Sequence, residues 1–215
     1  MATATAFAVT QRLKLEPSPI SQTRVDAVFS PICRCATKAA NIDFSLRRAD
    51  HVRIAIRTGS GEVTVAEGSF SRGDVHTSWD GRDASGELVP DGIYYPLVHL
   101  QRAGRTIDLP NSIRVDTIRP SIKFTSLRPR VFRPGVEKLR VTYTVSEHAH
   151  ALLFVDGRRR VVTNSTRLRG RLQWYGKVRG RAIRRGRHKL RLVAEDLAGN
   201  RSVPTPVVVV RVRRP

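Results

Sequence analysis

The sequence lacks most of what a helical, metal-binding or catalytic protein needs. It has no long stretch of helical periodicity and no apolar run long enough to cross a bilayer. It contains no serine-nucleophile elbow, no phosphate-binding loop and no H-E-x-x-H motif. The six histidines are scattered, and the nearest pair, His148 and His150, has no third ligand close by in sequence. We therefore predict no enzyme activity, no cofactor and no metal site.

Cysteine is also scarce, with two residues, Cys33 and Cys35. A disulfide across one intervening residue is strained, and two thiolates are too few for a zinc site. The state of this pair stays open. The loop that contains the pair, residues 32–40, has no acidic side chain, so we predict no calcium site there.

The residues that are abundant indicate β-structure. Valine, isoleucine and threonine are frequent, and Gly and Pro recur between short apolar runs. In one such run Val52, Ile54 and Ile56 alternate with polar neighbours, as in a half-buried strand. The 215 residues suffice for two domains with adequate cores.

Acidic residues are scarce in one half of the chain. Residues 1–117 hold 14 basic and 13 acidic side chains, whereas residues 118–215 hold 25 basic and 5 acidic ones. The halves therefore carry +1 and +20. A domain with this excess attracts polyanions such as nucleic acid, anionic lipid or acidic cell-wall polymers. Because only 6 of the 39 basic residues are Lys, a GC-rich genome is an equally good explanation.

The stretch 79–95, WDGRDASGELVPDGIYY, is the most specific motif. Asp80-Gly81 and Asp91-Gly92 are turn dipeptides, and the flanking aromatic residues read as core anchors. The pattern WDGRD-x-x-G-x-x-x-PDG-x-Y resembles the immunoglobulin-like domain of the flagellar hook-capping protein FlgD. The resemblance implies an all-β sandwich without catalytic activity. Asp80 and Asp91 could be mistaken for a carboxylate pair, but stabilisation of their turns explains both.

The second half repeats landmarks of the first. Val28-Phe29-Ser30-Pro31 is echoed by Val131-Phe132-Arg133-Pro134, and Trp79-Asp80-Gly81 by Trp174-Tyr175-Gly176. His188 matches Tyr94, which predicts a half-buried residue rather than a base. We predict two tandem immunoglobulin-like sandwiches, at 24–117 and 118–215, behind an extended N-terminal segment, 1–23. The structural turn and core residues of the repeat are Trp79, Asp80, Gly81, Asp91, Gly92, Tyr94, Trp174 and Gly176.

The N-terminal residues 1–10, MATATAFAVT, are small and apolar and lack a basic leading region. We interpret them as the remnant of a longer signal or membrane anchor. The alternative is a disordered tail.

The basic residues of the second half alternate with apolar ones, which places them on outer strand faces and in hairpin loops. The predicted polyanion-binding set is Arg158, Arg159, Arg160, Arg167, Arg169, Arg171, Arg184, Arg185, Arg187, Lys189 and Arg191. Sequence-specific nucleic-acid binding fits poorly, because the candidate stacking residues Trp174 and Tyr175 lie where the repeat predicts core.

Three functions follow as hypotheses. The first is a non-enzymatic, extracellular or cell-surface structural or adhesive module whose partners are anionic envelope polymers or other surface proteins. The second is a nonspecific binder of polyanions, including nucleic acid. The third is an accessory domain of a secreted enzyme.

Overall fold

The computed structural model describes residues 17–59 and 61–213, which form strands and loops without a helix. None of these described residues belongs to a helix that could span a membrane. The chain divides into two compact units. The first comprises the chain up to Pro31 together with Ala39–Val115, and the second comprises Ile32–Lys38 together with Asp116–Pro215. The predicted signal or anchor remnant, residues 1–10, lies outside the described residues.

The first unit is a sandwich of two sheets. Its strands are β1 (Ile20–Val25), β2 (Val28–Phe29), β3 (Ala40–Leu46), β4 (Asp50–Thr58), β5 (Gly61–Phe70), β6 (Gly73–Trp79), β7 (Gly92–Leu100), β8 (Arg105–Asp108) and β9 (Ile113–Val115). A small sheet has the order β1-β3-β6, and a larger sheet has the order β2-β9-β7-β4-β5, with β8 also paired to β7. Every pairing is antiparallel except that of β2 with β9.

The core of the first unit lies between these sheets. Alternation along β3 buries Ile42 and Phe44, and alternation along β4 buries Ile54 and Ile56. Phe29 is completely buried against them. The hydrophobic effect of burying these large side chains is the main source of the unit's stability.

The second unit repeats the two main sheets of the first and adds a short two-stranded sheet. Its strands are β10 (Ile122–Arg128), β11 (Val131–Phe132), β12 (Leu139–Val145), β13 (Ala149–Val155), β14 (Arg158–Val162), β15 (Arg169–Trp174), β16 (Lys177–Val178), β17 (Arg181–Ala182), β18 (Gly186–Asp196) and β19 (Val208–Val212). The small sheet β10-β12-β15 corresponds to β1-β3-β6, and the larger sheet β11-β19-β18-β13-β14 corresponds to β2-β9-β7-β4-β5. The parallel pair recurs as β11 with β19. The prediction of an all-β chain with two immunoglobulin-like sandwiches is confirmed; descent of both from one ancestral copy stays a prediction.

Three details differ from the expected organisation. The extended N-terminal segment predicted at 1–23 already contains the start of β1, which begins at Ile20 and pairs with β3. Residues 67–75 are rich in Gly and Ser, and that composition predicts a connection. They are mostly strand, because β5 pairs with β4 as far as Phe70 and β6 begins at Gly73. Residues 32–38 belong to the second unit, and the boundary falls after Val115 instead of after residue 117.

Candidate functional site

The tryptophan motif of the first unit is a core anchor with a closed turn. The Trp79 ring is buried and meets Phe29 and Tyr94 edge-on, with ring centroids 5.6 and 5.1 Å away. Its Nε1 donates a hydrogen bond to the Arg82 carbonyl at 2.9 Å. The Tyr94 hydroxyl donates to the Pro90 carbonyl at 2.7 Å, which holds the other end of the loop. Every polar group named here serves the loop itself.

Two acidic residues of this motif, Asp80 and Asp83, stabilise turns. Asp80 accepts a hydrogen bond from the Arg82 amide at 3.2 Å. Asp83 does more, because its Oδ1 accepts from the Ser85 amide and hydroxyl at 2.9 and 2.6 Å and from the Glu87 amide at 3.1 Å. The Ser85 hydrogen bond is the main reason that the pKa of Asp83 lies below its ordinary value. Burial raises the pKa of Tyr94, and the negative charge of the nearby Asp91 carboxylate adds to this rise.

The second unit repeats the anchor and its turn. The Trp174 Nε1 donates to the Lys177 carbonyl at 3.2 Å, and the Trp174 ring lies edge-on to Phe132 with centroids 6.3 Å apart. Gly176 has φ of 68°, and a Cβ there would lie 2.8 Å from both Phe132 and Pro134. A glycine is therefore required at this position, both for its backbone conformation and for space.

The expectation that Tyr175 belongs to the core is wrong. Tyr175 is 48% exposed, whereas Trp174 is 6% exposed. Successive side chains of a strand alternate between its faces, so burial of Trp174 directs its neighbour outward. An exposed aromatic ring thus lies at the end of β15, beside Gln173 and Lys177.

The predicted polyanion-binding cations are accessible but do not form one surface. Ten of the eleven are exposed, and Arg160 is half-buried. Arg169 and Arg171 lie on β15 of the small sheet. The cations of 158–160 lie on β14, and those of 187–191 on β18, both in the larger sheet. The two sheets enclose the core between them, so these groups face opposite sides of the sandwich.

The larger sheet mixes its cations with acidic and apolar side chains. His188 is hydrogen-bonded to Asp156 Oδ2 at 2.6 Å and to the Arg184 carbonyl at 2.8 Å. Burial raises the pKa of Asp156, but the hydrogen bonds from His188 and the Lys189 amide outweigh it, so the pKa is lowered overall. The His188 ring is half-buried, and its polar partner is the Asp156 carboxylate. A groove with a mostly apolar lining runs nearby, past Phe154, Lys189, Arg191, Val193, Pro204 and Val207.

The histidine pair considered as the start of a metal site is used otherwise. His148 Nδ1 lies 2.6 Å from the Thr166 carbonyl, and His150 Nδ1 lies 2.7 Å from the Thr163 carbonyl. Both rings therefore tie β13 to the loop before β15.

Three carboxylates form a cluster that the sequence does not predict. One oxygen each of Asp116, Glu147 and Asp196 lies within 4.8 Å of the others. Carboxylate oxygens are ligands for hard cations such as Ca²⁺. Asp196 already accepts hydrogen bonds from the amide and side chain of Asn200 at 2.8 and 2.9 Å. Burial raises the pKa of Asp196, and the nearby Asp116 carboxylate adds to this effect. The hydrogen bonds from Asn200 oppose the rise but do not cancel it. The three residues come from separate loops and strand ends, so no local pattern links them.

The two cysteines form a disulfide within the second unit. Thr37 of the same loop donates a hydrogen bond to the Ala198 carbonyl at 2.8 Å. Ala198 and Gly199 belong to the turn after β18, where the Asp196 carbonyl accepts from the Gly199 amide at 3.3 Å. The disulfide therefore closes a loop that packs on this turn.

Comparison with solved structures found similar chains at low sequence identity. Solved structures that resemble the chain include fibronectin(III)-like modules of Clostridium thermocellum CbhA (18% identity, 90% of this chain and 95% of that chain, TM-score 0.48). A second is a Ca²⁺-stabilized adhesin that helps an Antarctic bacterium bind ice (15% identity, 89% of this chain and 48% of that chain, TM-score 0.31). A third is domains 5–6 of the S-layer protein SbsC (10% identity, 92% of this chain and 96% of that chain, TM-score 0.30).

A search of curated proteins found no match to the chain. A family model does match, and it covers the segment with the tryptophan motif. Residues 33–104, which include most of the first unit, match the family model of the FlgD Ig-like domain.

Proposed function

We propose that this chain is a non-enzymatic, exported or cell-surface structural module whose second unit adheres to anionic envelope polymers. The observation that carries the proposal is the charge contrast between two sandwiches of one topology. Residues 1–117 have 14 basic and 13 acidic side chains, and residues 118–215 have 25 and 5. The fold itself therefore does not demand the cations of the second unit.

The contacts within each unit support the same division. In the first unit, cations are paired with acids, as in Arg53 with Glu62 at 2.9 Å and Arg57 with Asp108 at 2.8 Å. In the described part of the second unit, by contrast, the arginines that form salt bridges are Arg133 with Glu137 and Arg201 with Glu195. The remaining cations have their charge available for an external anion.

Two measurements on the full chain test the proposal. Fractionation of the native host should find the protein with the envelope or outside the cell. Purified protein should sediment with isolated envelope polymer at low salt and be released as salt rises, because exposed charge pairs are screened within about 8–10 Å at physiological ionic strength. Recovery in the cytosol together with salt-insensitive sedimentation would contradict both parts.

One observation favours a second candidate, a nonspecific nucleic-acid binder. The exposed ring of Tyr175 lies at the end of a cationic strand, and aromatic rings next to cations stack on single-stranded bases. A cytosolic location, with binding of single-stranded oligonucleotide in preference to envelope polymer, would establish this candidate in place of the first.

A further inference from the structure

We propose that the outer face of the small sheet β10-β12-β15 is the binding surface, and that its ligand is an extended acidic polysaccharide. This inference rests on the proposed function and narrows it to one face and one class of polymer. We name this surface the Arg/Thr face. Its outward residues are Lys123, Thr125, Ser126, Arg128, Arg140, Thr142, Thr144, Arg169, Arg171 and Gln173.

The strand register arranges these side chains in rows across the sheet. In one row Thr144 lies between Lys123 and Arg169. In the next, Thr142 is paired with Ser126 on one side and Arg171 on the other. In the last, Arg140 lies between Arg128 and Gln173.

The spacing of these rows suits a polymer lying along the strands. Neighbouring strands are about 4.8 Å apart, and outward residues on one strand repeat every 6.6 Å or so. Arg169 and Arg171 thus form a cationic line along one edge, and the threonines of β12 form a hydroxyl line beside it.

The face contains cations without internal partners. None of β10, β12 and β15 contains Asp or Glu. Arg128 lies directly opposite Arg140, and like charges in cross-strand pairs are unfavourable. Within the described residues, none of the five basic side chains of the face takes part in a salt bridge. An anion bound from outside would relieve this repulsion and supply the missing partners.

The corresponding face of the first unit has the opposite character. There Asp43 is paired with His76 across β3 and β6, and Ser45 with Asp74. Asp43 Oδ1 is hydrogen-bonded to His76 Nδ1 at 2.9 Å, and Asp74 accepts a hydrogen bond from Ser45. The same sheet therefore tolerates acidic side chains at positions where the second unit has Thr142 and Arg169, so the cations are not a requirement of the fold.

The polar residues between the cations favour a polysaccharide over a bare phosphodiester polymer. Threonine hydroxyls both donate and accept hydrogen bonds, as do sugar hydroxyls, and Thr125 already donates to Thr142 at 2.8 Å. Guanidinium groups bind carboxylates in bidentate fashion. The exposed Tyr175 ring beyond Gln173 offers an apolar face at the end of the row. Together these groups match the hydroxyl, carboxylate and ring surfaces of a polyuronate.

The test compares two charge-reversal variants of the full chain that have the same net charge. The first carries Arg140→Glu, Arg169→Glu and Arg171→Glu on the Arg/Thr face, and the second carries Arg187→Glu, Lys189→Glu and Arg191→Glu on the larger sheet. Binding of polygalacturonate is measured by calorimetry, with dextran as the neutral control. Three exposed ion pairs, each worth about two- to threefold in affinity, predict a loss of about tenfold for the first variant. The second variant should stay within about threefold of wild type.

Each other outcome is informative. Equal losses in both variants would overturn the assignment to this face while leaving adhesion by net charge, and thus the proposed function, intact. If the wild type binds envelope polymer but not polygalacturonate, the proposal of a polysaccharide ligand is wrong, while the proposed function stands. Tighter binding of poly(glycerol phosphate) or of single-stranded DNA than of polygalacturonate would replace the ligand class. Circular dichroism melts show whether each variant is folded. A second pair of triple variants carries Gln in place of Glu, a milder change, and should show the same rank order of affinity for polygalacturonate.

Discussion

Replacing Gly199 by Ala should destabilise the second unit far more than the same change at a glycine with equal backbone strain. Gly199 has φ of 92°, a conformation that costs an L-residue about 1 kcal/mol. An added Cβ would also lie 2.6 Å from Thr37 Oγ1 and closer still to Cys35 Sγ. Displacing the disulfide loop adds overpacking strain of about 1–3 kcal/mol. We expect a total loss of about 2–4 kcal/mol in the free energy of unfolding.

The matched control is Gly157→Ala. Gly157 also lies in the second unit and has φ of 77°, but a Cβ there would meet nothing within 4 Å. Only the conformational cost of about 1 kcal/mol applies. Unfolding in urea is followed by Trp174 fluorescence in a Trp79→Phe background, so that the second unit alone is reported. With a slope of about 2 kcal/mol/M, the midpoints should fall by about 1–2 M for Gly199→Ala and about 0.5 M for Gly157→Ala.

Equal midpoint shifts for the two variants would refute the packing of residues 32–38 on the turn after β18. A double-mutant cycle sharpens the result. Replacing both cysteines by Ala removes the sulfur atoms that the new methyl group meets, so the cost of Gly199→Ala should shrink toward that of Gly157→Ala. Strict additivity between the cysteine changes and Gly199→Ala would also contradict the contact.

The remaining predictions concern two aspartates with opposite effects of pH. Asp83→Ala removes the acceptor of three hydrogen bonds in the tryptophan motif, so the melting temperature of the first unit, read by Trp79 fluorescence in a Trp174→Phe background, should fall. Because the pKa of Asp83 is lowered from 3.8, the ionised carboxylate stabilises the unit above that value, and this stabilisation is lost as pH falls through the lowered pKa. The melting temperatures of wild type and variant should therefore converge at low pH. A difference that stays constant with pH would contradict this role of Asp83. The pKa of Asp196 is raised, so its ionised form costs stability above the raised pKa, and the second unit should become more stable as pH falls through it. Asp196→Asn should abolish that rise in urea titrations across pH, and an identical rise in the variant would exclude Asp196 as its source.

Much of the architecture could be predicted because it depends on local signals. The Trp79 motif specifies a turn by its own residues, and its Nε1 bond to Arg82 spans three positions. The repeat then predicts the same buried anchor at Trp174, whose Nε1 donates the corresponding hydrogen bond to Lys177. Period-2 alternation likewise places Arg169 and Arg171 outward, as observed.

The errors arose where distant partners override local preference. Gly68 and Ser69 read as a connection by composition, but cross-strand pairing with Val52 and His51 holds them in β5. Alignment with the repeat predicts Tyr175 in the core, although the alternation that buries Trp174 directs it outward. The docking of residues 32–38 on the turn after β18, and the grouping of Asp116 with Glu147 and Asp196, join segments that have no common sequence pattern.

The division of charge between the units also bears on the origin of the cations. A GC-rich genome favours Arg over Lys throughout a chain, and both halves show that preference, with 2 Lys among 14 basic residues before position 118 and 4 among 25 after it. A bias that acts on both halves alike explains the choice of Arg but not the difference in net charge. The small sheet of the first unit folds with Asp43 and Asp74 on its outer face, so the sandwich does not need the cations either. We propose that the difference reflects a binding role of the second unit's surface, and the acid-free strands of the Arg/Thr face are its clearest sign.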